Sequence, residues 1–123
     1  MERKEMLAMK NWVVVGDVLN EEKYAYRILQ RLKDRGYEAV GVHPRGGEDI
    51  YASLSELATV PEVMCLVINP ATGKGFVHEA RQLGVKAVWL QPGADTEEVT
   101  AACDEAHLPY VKACVLVETS NRN

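Results

Sequence analysis

A doubly wound α/β fold, an αβα sandwich around a five-stranded parallel sheet, is what this sequence predicts, and three observations carry the prediction. Short apolar runs rich in β-branched residues recur five times along the chain. Amphipathic or capped stretches of helical character separate them. The connections are too long for hairpins, so successive strands must run parallel and be covered by helices on both faces.

Each element has its own justification. Trp12–Gly16 (WVVVG) is a continuous apolar run of the kind buried on both faces of a sheet. From about Glu22 to Arg35, Tyr24, Ile28, Leu29 and Leu32 recur at helical spacing, and Gly36 supplies the stop. Glu38–His43 gives a second strand. Ser53–Leu57 predicts a short helix, with Ser53 as N-cap and Glu56 completing a capping box. Glu62–Ile68 is a third buried strand. Thr72–Leu83 is a helix with Phe76, Val77, Ala80 and Leu83 on one face and Gly84 at its end. Lys86–Gln91 is a fourth strand, followed by a helix over Thr96–Ala106 capped by Asp95 or Thr96. Pro109–Ala113 is a fifth strand, with a short apolar tail, Cys114–Glu118, after it. The first ten residues suit a small extra helix. Right-handed crossovers then favour a Rossmann-like sheet in the order 3-2-1-4-5. No repeat or linker divides the 123 residues, so one domain over residues 1–123 is expected.

Composition narrows the function classes. Hydrophobic residues make up 47% and charged residues 26%, ordinary values for a globular protein. A net charge of −4 provides no basic field for nucleic acid or anionic membrane, and neither is an expected partner. No apolar run approaches the roughly 20 residues of a membrane span. The charged N-terminus lacks a signal-peptide core, so the cytoplasm is the expected compartment. Three cysteines, Cys65, Cys103 and Cys114, without CxxC spacing fit neither a disulfide framework nor a zinc site. No metal site is expected.

A ligand of such a sheet sits at the carboxyl ends of the strands, where the winding reverses. That singles out the loops Gly16–Lys23, His43–Gly47, Asn69–Lys74 and Gln91–Asp95. The first lacks a GxGxxG pattern, yet the helix start after it presents free amides and a positive dipole end, with Lys23 in reach of a pyrophosphate. Asp17, Glu21 and Glu22 work against an anion there. The second strand ends in His43 and Arg45, where an NAD-binding unit carries Asp or Glu. Those donors suit a phosphorylated ribose, as in coenzyme A or NADP. NPATGKGF (Asn69–Phe76) fails the phosphate-loop pattern GxxxxGK[ST], because Ile68 and Gly75 stand at two of its positions. No nucleophile elbow or paired carboxylates announce catalysis, and His78 and His107 are expected at the surface. Cys114, after the fifth strand, is placed for its thiol to face the crevice.

Taken in order, these loops resemble those of the small stand-alone CoA-binding domain proteins, whose fold is like the N-terminal CoA-binding domain of the succinyl-CoA synthetase α subunit. The resemblance covers Trp12 to Glu118. GDVLNEEKYAY keeps Gly16, Asn20, Lys23 and Tyr26 of a pattern G-x-S-x-N-P-x-K/R-x-S-Y. GYEAVGVHPR places His43, Pro44 and Arg45 where the family has Asn-Pro-Lys. Tyr51–Leu54, Lys86–Gly93 and the pair Cys114 and Glu118 continue the match. Val18, Glu21 and Ala25 depart from it, replacing Ser, Pro and Ser.

The resemblance implies a non-catalytic protein that binds coenzyme A, free or acylated. Its candidate binding residues are Gly16, Asp17, Asn20, Lys23 and Tyr26, then His43, Pro44 and Arg45, then Asn69 and Pro70, and finally Gln91, Pro92 and Gly93. Two other functions are open to the same residues. One is an NADP-linked oxidoreductase or redox sensor. The other is a protein-interaction domain, with a protein partner or a second copy of itself, whose nucleotide site has decayed.

Overall fold

The structure, a computed structural model, describes residues 1–47 and 50–120. Among them the elements run α1 (Arg3–Ala8), β1 (Asn11–Gly16), α2 (Tyr24–Asp34), β2 (Glu38–Val42), a 3-10 turn (Leu54–Glu56), β3 (Val63–Val67), α3 (Pro70–Leu83), β4 (Ala87–Leu90), α4 (Glu97–Glu105), β5 (Tyr110–Lys112) and α5 (Val115–Glu118). All five strands pair in parallel. The apolar tail after the fifth strand is thus a single turn of helix, and the short helix around Ser55 is 3-10. Its capping box does not form: Ser53 makes no side-chain cap, and Glu56 Oε2 accepts from the Ala52 N–H, one residue early, and from the Ser53 hydroxyl. Instead the Glu79 carboxylate of α3 accepts from the Leu54 and Ser55 amides, a distant group completing a local element.

The strand order is β2-β1-β3-β4-β5, which corrects the expected 3-2-1-4-5. Burial gives the reason. In β3 Val63, Met64, Cys65 and Leu66 are all buried, so this strand needs a neighbour on either edge and helices on either face. Strand β2 alternates, with Glu38 and Val40 exposed, and tolerates an edge. The chain therefore leaves β1 for one edge, comes back across it, and lays β3 on the other side.

Two cores follow from that reversal. Val13, Val15, Met64 and Leu66 point to the layer of the 3-10 turn, α3 and α4, meeting Leu54, Phe76, Val77, Ala80 and Val99. Trp12, Val14, Cys65 and Trp89 point the other way, to Met6 of α1, Ile28 and Leu32 of α2, and Val115 of α5. The strict alternation along β1 is the two-residue period of a strand with both faces covered. The second core is aromatic at its centre: the rings of Trp12 and Trp89 lie 5.6 Å apart, and Tyr37 meets Trp12 edge-on at 5.8 Å. Both indole nitrogens are satisfied, donating to the carbonyls of Met9 (2.8 Å) and Ala113 (2.9 Å).

At the reversal itself β1 ends in Gly16, paired with Val67 at the end of β3. A Cβ on Gly16 would stand 3.1 Å from Ala25 Cβ and well inside van der Waals contact of the Val67 carbonyl oxygen. The residue is glycine because the backbones approach this closely. Gly41 is similarly confined, a Cβ there meeting Val18 Cγ2 at 2.8 Å.

Two glycine substitutions separate close approach from mere helix propensity. Gly16→Ala should cost about 1–3 kcal/mol through overpacking. Gly75→Ala, in α3 with nothing within 4 Å of the added carbon, should gain about 0.5–1 kcal/mol. Urea denaturation of both variants checks this; equal midpoints would show that the Gly16 site relaxes freely.

Candidate functional site

Three hydrogen-bonded turns line the carboxyl end of the sheet. After β1, Lys23 N–H donates to the Asn20 carbonyl at 2.9 Å, and Glu22 N–H donates to the Asn20 side-chain Oδ1 at 3.0 Å. Asn20 thereby shapes the loop from its first position, as an Asx turn does. After β2, Gly46 N–H donates to the His43 carbonyl at 2.7 Å, with Pro44 second in the turn where its fixed φ belongs. After β4, Ala94 N–H donates to the Gln91 carbonyl at 2.9 Å across Pro92 and Gly93. Gly93 has φ of +98°, the third-position conformation that a Pro-Gly turn requires.

The Asn20–Lys23 turn hands the chain to α2 without closing the helix start. Lys23, the N-cap, is extended and makes no side-chain cap. The first amides of α2 therefore face the crevice with the positive end of the helix dipole, between Lys23 and Tyr26. Lys23 is exposed, and so are Pro44 and Arg45 in the neighbouring turn; Tyr26 is half-buried. Neither Lys23 nor Arg45 forms an ion pair among the described residues.

The acids of the first loop are placed unequally. Asp17 Oδ1 lies 4.0 Å from His43 Nε2, so its charge faces the imidazole of the second turn. His43 Nδ1 accepts from the Arg45 N–H at 3.1 Å, which leaves the proton of a neutral ring on Nε2, toward Asp17. Glu21 and Glu22 are exposed. Val18 is buried over Gly41 and Leu29, packing where the resembling pattern has a serine.

Other predicted residues serve the scaffold. Asn69 Oδ1 accepts from Thr72 N–H at 3.0 Å and caps α3, whose first residue is Pro70. Lys74 pairs with Glu98 of α4 at 3.0 Å. Gln91 is buried, and its Oε1 accepts from Val115 N–H at 2.7 Å, holding the start of α5. Pro92 and Gly93 are exposed.

The structure adds two residues that periodicity assigned elsewhere or passed over. Tyr24, counted with the apolar stripe of α2, is 62% exposed because the first helical residue lies beyond the edge of the packed face. With Val67, Gln91, Pro92 and Cys114 it lines a cavity of about 170 Å³. No spacing rule could have joined Tyr24 to Val67, since only the β1–β3–β4 pairing brings their loops together.

Among the described residues no cluster of His, Cys, Asp and Glu could hold a metal ion, and no helix is long and apolar enough to cross a membrane.

Residues 10–120 match the family described as CoA binding domain. A conserved hypothetical protein from Pyrococcus furiosus is 33% identical over 89% of this chain and 99% of its own, with a TM-score of 0.81. A hypothetical protein from Pyrococcus horikoshii is 27% identical over 96% of this chain and 87% of its own, with a TM-score of 0.86. A third structure, cell-free ID.343 from Thermus thermophilus, is 27% identical over 98% of both chains, with a TM-score of 0.84.

The thiols divide sharply by exposure. Cys65 and Cys103 are buried, whereas Cys114 is half-buried at the cavity. Burial, and secondarily the Asp104 charge, pushes the Cys103 thiol up from 9.0 to about 11. Burial pushes Cys65 up as well, with a smaller contribution from Cys114. A thiol reagent should therefore titrate one cysteine per native chain and all three in denaturant. An acid held protonated by the fold loses stability as pH rises above its unfolded value. The urea midpoint should accordingly fall between pH 9.0 and about 11, and fall less in Cys103→Ala.

Proposed function

The chain belongs to the CoA-binding domain family, and from that premise we propose that it is a non-catalytic module holding CoA across the carboxyl ends of β1 and β2. The match over residues 10–120 carries the reading. The geometry supports it residue by residue. The uncapped start of α2, flanked by Lys23, offers amides and a positive dipole end to the pyrophosphate. His43, Pro44 and Arg45 form the adjoining turn, with the Arg45 guanidinium exposed for the phosphate on the adenosine ribose. Gly16 lets the backbone of this corner close in.

The acidic loop fits this role with reduced affinity. Asp17 faces the His43 ring at 4.0 Å, and Glu21 and Glu22 add two further exposed negative charges that a bound pyrophosphate meets. Glu21 stands second in the Asn20–Lys23 turn, the position where proline is favoured, and its N–H makes no hydrogen bond among the described residues.

CoA should raise the melting temperature; at a hundredfold excess over Kd the gain is about 2.7 kcal/mol, several degrees for a chain of this size. Dephospho-CoA should give a smaller shift, and Arg45→Ala should erase the difference between the two. No shift with millimolar CoA or dephospho-CoA would sink the reading. Glu21→Pro should tighten CoA, measured by isothermal titration, because it removes a charge and rigidifies the turn without losing a hydrogen bond. Weaker binding in that variant would show that Glu21 contributes a contact.

A further inference from the structure

The 170 Å³ cavity beside Cys114 has a polar feature that neither the fold nor the turns use. Gln91 is only 3% exposed, and its Oε1 is committed to the Val115 N–H at 2.7 Å. That bond fixes the orientation of the amide, so the other end is the Nε2 donor. Nε2 has no hydrogen-bond partner among the described residues. Yet no fully occluded side-chain nitrogen or oxygen there is left unpaired, so this N–H must meet open space. The open space beside Gln91 is the cavity. A nine-tenths-buried side chain thus presents an amide donor to a small chamber. Its other walls are Val67, Pro92, Tyr24 and the Cys114 side chain. A ligand acceptor that replaces water on this donor forms a hydrogen bond worth about 0.5–1.5 kcal/mol net.

The chemistry of that chamber is specific. It offers one amide NH2 group, no charged side chain, and apolar, aromatic and sulfur-bearing walls. Its complement is a neutral carbonyl attached to a small apolar group. A volume of 170 Å³ is that of about five to six water molecules, enough for a short acyl group and too small for a fatty chain. The cavity also adjoins Tyr24, the first residue of α2, so it borders the helix start at which the pyrophosphate is proposed to bind.

We propose that this cavity is an acyl subsite that makes the protein prefer a short acyl thioester of CoA over free CoA, with Gln91 Nε2 donating to the acyl carbonyl. The inference rests on the CoA reading above and assigns it a preferred ligand class. Gln91 acts as a specificity residue, and Cys114 leaves the room that the acyl group fills.

The test is the ratio of acetyl-CoA to CoA affinity, measured by isothermal titration on the full chain. One added hydrogen bond, with burial of the acyl methyl, predicts that acetyl-CoA binds roughly five- to tenfold more tightly. Gln91→Glu keeps an oxygen for the Val115 N–H but replaces the donor with an acceptor. It should bring the ratio to one or below, the ratio being read because the added carboxylate weakens both ligands alike. Cys114→Leu fills the chamber and should abolish the preference without touching Gln91, which keeps the test open if Gln91→Glu does not fold. A ratio near one in the unaltered protein, or a preference that survives Cys114→Leu, would overturn the subsite and leave CoA binding standing. Failure of both ligands to bind would overturn the CoA reading itself and the subsite with it.

Discussion

The contact between Gly16 and the Val67 carbonyl is the constraint on which the rest of this molecule depends. It is where the winding of the sheet reverses. From Gly16 the chain turns toward α2 on one face, and from Val67 it turns toward α3 on the other. Two loops leaving in opposite directions open a crevice that no loop has to be pushed aside to reach. The two ends can separate in this way only because the strands beneath them remain close, and they remain close because one partner has no side chain.

The candidate site over this corner is largely one of backbone. Asn20, His43 and Gln91 each begin a turn whose closing N–H returns to their carbonyl. Their side chains then do a second job: Asn20 tightens its own turn, His43 faces Asp17, and Gln91 holds the Val115 amide. Charge is used sparingly. Lys23 and Arg45 are the exposed cations of the first two turns, and the helix dipole supplies the remaining attraction for an anion. The acids of the first loop differ in consequence despite being neighbours in sequence, because the His43 ring lies beside one of them and not beside the others.

Much of this was legible in the residues. The five apolar runs became the five strands, and the turn chemistry of Asn20, Pro44 and Pro92-Gly93 was written in the residue types, since each position needs a particular φ or a side-chain acceptor. Other features were not. Tyr24 fits the helical stripe of Ile28 and Leu32 in spacing, but the stripe does not say where the packed face ends. Val18 looks like a lost hydroxyl until Gly41 of β2 is seen beneath it, a partner 23 positions away in sequence. Asn69 has a ligand-like residue type and place, and only the Thr72 bond assigns it to capping.

What the sequence determined by itself was the kind of layer and the kind of turn: parallel strands buried on both faces, helices between them, and polar turns at one end. Local periodicity and backbone preference decide these, and both operate within a few residues. What only the tertiary structure decided was the neighbours. Placing β3 beside β1 instead of beyond β2 depends on comparing the burial that whole strands require, an energy spread over the sheet. The cavity that joins Tyr24 and Val67 to Gln91, Pro92 and Cys114 exists because of that same placement. Its free amide NH2 is a property of packing, since the Val115 backbone claims one end of Gln91 and the fold leaves the other end facing space.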